Sequence, residues 1–207
     1  MNDFVKLALA QIPQYFLDLV EVTTHPKSFL RRKRDGGPDA ANKACIFYGV
    51  TLLIATVFLA PALPKTEGFE HNALTAAVFQ GLMLLMSLIV IRIAWKLVGG
   101  QATIRQLFVC TAYLSGPTTF LLLMFFSIGD VLFRFADTGG QAISTGSAMV
   151  GAALAFVWAT LGWGAYRTVN RVSRLRSAIA YLLSAILAMP VLLIGVLLLG
   201  NILFPPA

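Results

Sequence analysis

The residues with the densest chemical potential sit in HPKSFLRRKR, His25 to Arg34, where Lys27, Arg31, Arg32, Lys33 and Arg34 make five cations in ten residues. Their chemistry is electrostatic. A cluster of four to eight Lys/Arg beside a membrane span attracts anionic headgroups, at about 1 kcal/mol per cation near the surface. Other chemistries find little support. The chain contains no GxxxxGK[ST], HExxH, CxxC or GxSxG pattern. Its two histidines, His25 and His71, fall on opposite sides of an apolar run, so no shared metal is expected. Cys45 and Cys110 read as small packing residues rather than a disulfide. Ionisable groups deep in spans, the mark of ion-coupled pumps, are nearly missing. Asp130 falls at a span end, and Arg92 and Lys96 lie where they can snorkel. Gln80 is the strongly polar side chain well inside a run, and an interhelical hydrogen bond is its expected role. No catalytic residue, metal or cofactor is expected.

The elements around these residues are apolar. Of 207 residues 58% are hydrophobic and 12% charged, against about 25% charged in soluble domains. Mean hydropathy is +0.80. Five charge-free runs stand out: Ala44–Pro64, His71–Ile91, Gln106–Gly129, Thr138–Tyr166 and Ser177–Ala207, of 21, 21, 24, 29 and 31 residues. About 20 apolar residues cross a bilayer. The expected fold is therefore all-α, a polytopic bundle with spans near 44–63, 73–95, 106–129, 146–166 and 178–203, forming a domain over 44–204. The first run follows more than 40 residues and is longer than a leader's apolar core, so it reads as a span.

Lys and Arg segregate between the loops. Residues 1–43 hold seven, 92–105 three and 167–176 four, leaving Lys65 and Arg134 for the other side. Because cytoplasmic loops carry the excess, the N-terminus is expected inside and the C-terminus outside. Segregated charge of this kind argues for a lipid bilayer, anionic lipid included, as the basic partner, and against nucleic acid.

Before the first span, residues 2–21 have helical period. Val5, Ala8, Leu9, Ile12, Tyr15, Phe16 and Leu19 share one face, with Asp3, Lys6, Gln14, Asp18 and Glu21 opposite. An amphipathic helix, kinked or broken at Pro13, is expected either in the bilayer interface or on the protein's own end. Asp35–Asn42 reads as a linker and Gly99-Gly100 as a helix stop. Gly116-Pro117 and Pro190 are expected to kink their spans, with Thr118 and Thr119 able to bond freed carbonyls. In the fourth span Ser147, Gly151, Ala155 and Ala159 form a small-residue stripe suited to close helix packing.

Two stretches carry a family resemblance: THPKSFLRR (24–32), and GGQATIRQLFVCTAYLSGPTTFLLL (99–123) with its Tyr113, Ser115, Gly116 and Pro117. Together they resemble the Yip family, the Ypt/Rab-interacting type of five-span membrane proteins, and the short polar N-terminal region is most similar to the bacterial inner-membrane members. The resemblance implies a non-enzymatic protein that binds a membrane partner, or a second copy of itself, or assists assembly. Eukaryotic members are associated with Rab-type GTPases and vesicle traffic. The runner-up reading is a transport component for lipid or an apolar solute, or a subunit of a larger transporter.

Overall fold

The computed structural model describes residues 3–34, 39–59, 69–135 and 162–203, with residues 153, 156 and 160 as isolated positions, and the side chains of 3–11, 34, 58–59, 69–73, 75–76, 79, 122, 124–135 and 191–203 lie outside that description. The described chain is helical. Its elements are α1 (Asp3–Thr24), α2 (Pro26–Arg34), α3 (Asp39–Leu59), α4 (Phe69–Leu97), α5 (Ile104–Phe135), α6 (Gly162–Asn170) and α7 (Arg174–Leu203). The stripe Ser147, Gly151, Ala155 and Ala159 falls outside the described residues.

Among the described residues two helical stretches are long and apolar enough to cross a membrane: Asp39–Val57, of 19 residues, and Gln80–Leu97, of 18. Gly162–Asn170 and Arg174–Pro190, bent by 115°, supply a third if they act as one unit. A helical period of exposed apolar side chains marks the outer wall. On α4 it runs through Leu74, Val78, Leu82, Leu85, Ile89 and Ile93, and on α7 through Leu175, Ile179, Leu182, Ile186 and Met189. Apolar stripes of that length on an outer surface are suited to lipid as solvent.

Local signals account for the helix ends. At the end of α4, Gly99 takes φ +87°, its N–H donates to Lys96 O at 3.0 Å, and the Gly100 N–H donates to Trp95 O at 2.8 Å. That is a Schellman stop, which needs a residue able to enter the left-handed region. The start of α5 is a capping box: Gln106 N donates to Thr103 Oγ1 at 3.2 Å and Thr103 N to Gln106 Oε1 at 3.0 Å. Between α6 and α7, Arg171 takes the turn with φ 55°.

Three expectations change. Pro13 does not break α1, which runs through it to Thr24. Residues 39–42, expected in a linker, are the first turn of α3, with Asp39 at the favourable N-terminal end of the dipole. The inward face of α1 is also rotated from the one expected. Tyr15, Asp18 and Val22 are buried while Ile12, Phe16, Leu17 and Val20 are exposed.

Helix α3 packs chiefly against α5, and α4 against α7, with α4 also touching α3 and α5. The pair α1–α2 lies across α3 and α5. Lys33 reaches Asp18, 15 residues back. On a continuous helix that separation would be about 22 Å, so the chain must fold back at His25-Pro26, where Pro26 opens α2.

Candidate functional site

Four helices meet where the hairpin α1–α2 caps the bundle. Tyr15 of α1 stacks on Phe47 of α3 at 4.7 Å between ring centroids, Phe47 on Tyr113 of α5 at 4.8 Å, and Phe29 of α2 edge-on to Tyr113 at 4.9 Å. Phe29 and Leu30 are fully buried, so the basic stretch has an apolar face that docks. Offset and edge-to-face aromatic pairs add about 0.5–1.5 kcal/mol each beyond burial.

Beside the rings lies an ion pair. Lys33 Nζ donates to both Asp18 oxygens, at 2.9 and 3.1 Å, and lies 5.1 Å from the Phe29 ring centre and 5.5 Å from that of Tyr113. Gln14 Nε2 donates to Asp18 Oδ1 at 2.8 Å. Asp18 is thus held from two directions, and Lys33 is shared between a carboxylate and two π faces. Tyr15 Oη and Thr51 Oγ1 lie 3.2 Å apart. Burial raises the Tyr15 phenol above its ordinary value, against a smaller opposing effect of the Thr51 contact. It therefore stays neutral at physiological pH. The constellation holds parts together; its charged groups are already paired with one another. A pocket of about 440 Å³ adjoins it, where Lys43 and Ile46 join Gln14, Asp18 and Lys33.

The other basic segments come to the same end. Gln101 N donates to Asn170 O at 3.2 Å, joining the α4–α5 turn to the end of α6. Arg92 donates to Ala102 O, and the Lys27 stem of α2 lies against Gly164 of α6, where any side chain would strike it. The N-terminal, 92–105 and 167–176 segments that carry the clustered Lys and Arg therefore lie at one end of the described helices.

Residue by residue, the basic run divides. Arg31 and Arg32 are exposed, Arg32 paired with Glu21; Lys27 lies on α6; Lys33 is drawn inward; the Arg34 side chain lies outside the described residues. Gly116 makes room: a Cβ there would sit 2.6 Å from the Phe47 ring. Pro117 and Pro190 lie inside α5 and α7, each one uninterrupted helix. Thr118 Oγ1 donates to Leu114 O at 2.9 Å, one residue beyond the Tyr113 carbonyl that Pro117 cannot serve. Tyr48 Oη donates to the main-chain oxygen of Gln80 at 2.9 Å, and Gln80 Nε2 is buried without a partner. Cys45 is exposed and Cys110 buried, both free. His25 is exposed beside Thr24, and the His71 side chain lies outside the description.

A second feature lies within the bundle. A cavity of about 740 Å³ opens between α3, α4, α5, α6 and α7, bounded by Tyr48, Gln80, Trp95, Ser115, Tyr166 and Ala188 among others.

Sequence reasoning missed Asp18 as a buried anchor and Phe29 as its neighbour. The Gln14–Asp18 spacing of four and the Phe29-Leu30 pair inside a basic run were the available signals.

Helices with lipid-suited outer stripes, capped at one basic end by a docked hairpin, define an all-α membrane protein, with no cluster of three His, Cys, Asp or Glu side chains able to hold a metal among the described residues. Comparison then supplies the family. The model of the Yip1 domain matches residues 20–197, and the chain belongs to that family of membrane proteins. No curated protein and no solved structure matches it. The match begins at residue 20, so it takes in α2 and the last five residues of α1. The two stretches that carry the sequence resemblance meet physically, Phe29 on Tyr113.

Proposed function

We propose that the protein is a five-span cytoplasmic-membrane protein, N-terminus inside and C-terminus outside, that acts without catalysis as a partner-binding or assembly factor through its basic end. One observation carries this reading. The hairpin is fastened down by Tyr15, Asp18, Phe29 and Lys33, yet leaves Ile12, Phe16, Leu17 and Val20 exposed on α1 and Arg31 and Arg32 exposed on α2. An apolar strip beside fixed cations suits the junction of headgroups and acyl chains, and it equally suits a membrane-bound protein or a second copy that docks there. On this reading the fastening preorganises a platform, and α6 and α7 are separate spans joined by the turn at Arg171.

The test places a photo-crosslinking amino acid at Phe16, Leu17 or Arg31 of the full-length protein in native membranes. A discrete protein adduct at these positions, missing at the lipid-facing Ile186, is the expected result. Adducts to lipid alone at all four positions would remove the partner and leave a lipid-anchored cap.

A further inference from the structure

We infer that the cavity between α3, α4, α5, α6 and α7 is a receptor site for one long acyl chain of a membrane lipid. Its size is about 740 Å³, and it follows α4 from Gln80 to Trp95. Fifteen residues of helix rise about 22 Å, more than the roughly 15 Å depth of one leaflet's hydrocarbon. The shape is that of a chain rather than of a compact solute.

The chemistry of the wall agrees. Its hydroxyls are largely spent on the protein. Thr51 donates to Phe47 O at 3.0 Å, Ser115 to Ala112 O at 2.7 Å, Thr118 to Leu114 O at 2.9 Å and Ser184 to Ala180 O at 2.8 Å. Thr111 is shared between Leu107 O and Tyr166 Oη. Bonded to their own helices, these residues present methyl and methylene groups inward. Met83, Leu84, Val90, Ile91 and Leu114 add aliphatic surface, and Ser87, Thr119 and Tyr181 also line the space. Such a space holds water poorly. Left empty, it would forfeit more contact than a folded protein's margin of stability allows.

The occupant comes from the side. Phe156 and Ala185 both line the cavity and are exposed. Its mouth therefore lies on the apolar outer wall, where acyl chains are the solvent. One buried side-chain donor of the lining residues is unspent. Gln80 lines the cavity, and its Nε2 is buried without a partner, a costly state in hydrocarbon.

The probe is a palmitoyl chain with a terminal diazirine, supplied either in phosphatidylcholine or as the free acid, to full-length protein in proteoliposomes. After photolysis, peptide mapping locates the adducts. Adducts on Met83, Ser87, Ser115 or Trp95 are expected, besides those on the outer residues Leu82, Leu85, Ile89 and Leu182. Filling the space with Ala188→Phe, or from another wall with Ser87→Leu, should lower the inner adducts about tenfold while the outer ones persist. The persistent outer adducts report a folded, inserted protein in each variant. Labelling by phosphatidylcholine identifies the source as phospholipid, and labelling by the acid alone identifies it as free fatty acid. Adducts confined to the outer stripe, or inner adducts undiminished in folded filled variants, would overturn the inference.

Discussion

Replacing Lys33 with Met should release the α1–α2 hairpin without unfolding the bundle. The ion pair is unequal, with the Asp18 side chain 8% exposed and that of Lys33 25%. Removing Lys33 leaves a buried carboxylate with Gln14 as its remaining side-chain donor and deletes a cation from two aromatic faces. Breaking a buried pair from one side costs about 3–5 kcal/mol, and the partial exposure of Lys33 favours the lower end, about 3 kcal/mol. Because tenfold corresponds to about 1.4 kcal/mol, amide exchange in α1 and α2 should accelerate roughly a hundredfold. Asp18→Asn should do less, about tenfold, because the lysine can turn toward water. The double change Asp18→Leu with Lys33→Met should return within about 1 kcal/mol of the parent, since apolar replacement of a whole buried pair is often neutral. The assay is amide hydrogen exchange in detergent or nanodiscs, with α4 and α7 as the internal control. Equal acceleration everywhere would refute a locally fastened cap. So would an unaltered α1 in Lys33→Met, or a double variant as labile as the single.

Two further outcomes follow from the same packing and from the charge distribution. Gly116→Ala places a Cβ 2.6 Å from the Phe47 ring and should cost about 1–3 kcal/mol by overpacking, read as a lowered Tm in detergent; Phe47→Leu in the same chain should recover part of it. A reporter fused after Ala207 should be active when its activity needs the external compartment and silent when it needs the cytoplasm, the reverse of which would overturn the five-span topology.

The legible parts of this fold depend on neighbours a few residues apart. The charge-free runs and the Gly99-Gly100 stop each contain their own cause within one helical turn or one span, so the chain announces them; the Thr103–Gln106 cap is as local but was not read from the sequence. The site depends on distant partners. Asp18 looks like a solvent-facing residue until Lys33 is folded back over it across the His25-Pro26 corner. Gly116 reads as half of a kink beside Pro117, whereas in the fold its missing side chain admits Phe47 from another helix.

The rotated face of α1 has a more general physical origin. In water, hydropathy separates core from surface because the two solvents differ. Beside a bilayer a third solvent appears, as apolar as the core itself. Ile12, Phe16 and Val20 satisfy the same hydrophobic pattern as Tyr15, Leu19 and Val22, and period alone ranks neither set. What decides is the groups that can be satisfied in one place only: Tyr15, whose hydroxyl meets Thr51, and Asp18, whose carboxylate meets Lys33. These polar atoms turn the helix so that they face the bundle, and the purely apolar strip is left outward for lipid or a partner. Where an apolar helix lies at a membrane, its few polar side chains therefore predict the protein-facing side better than its many apolar ones.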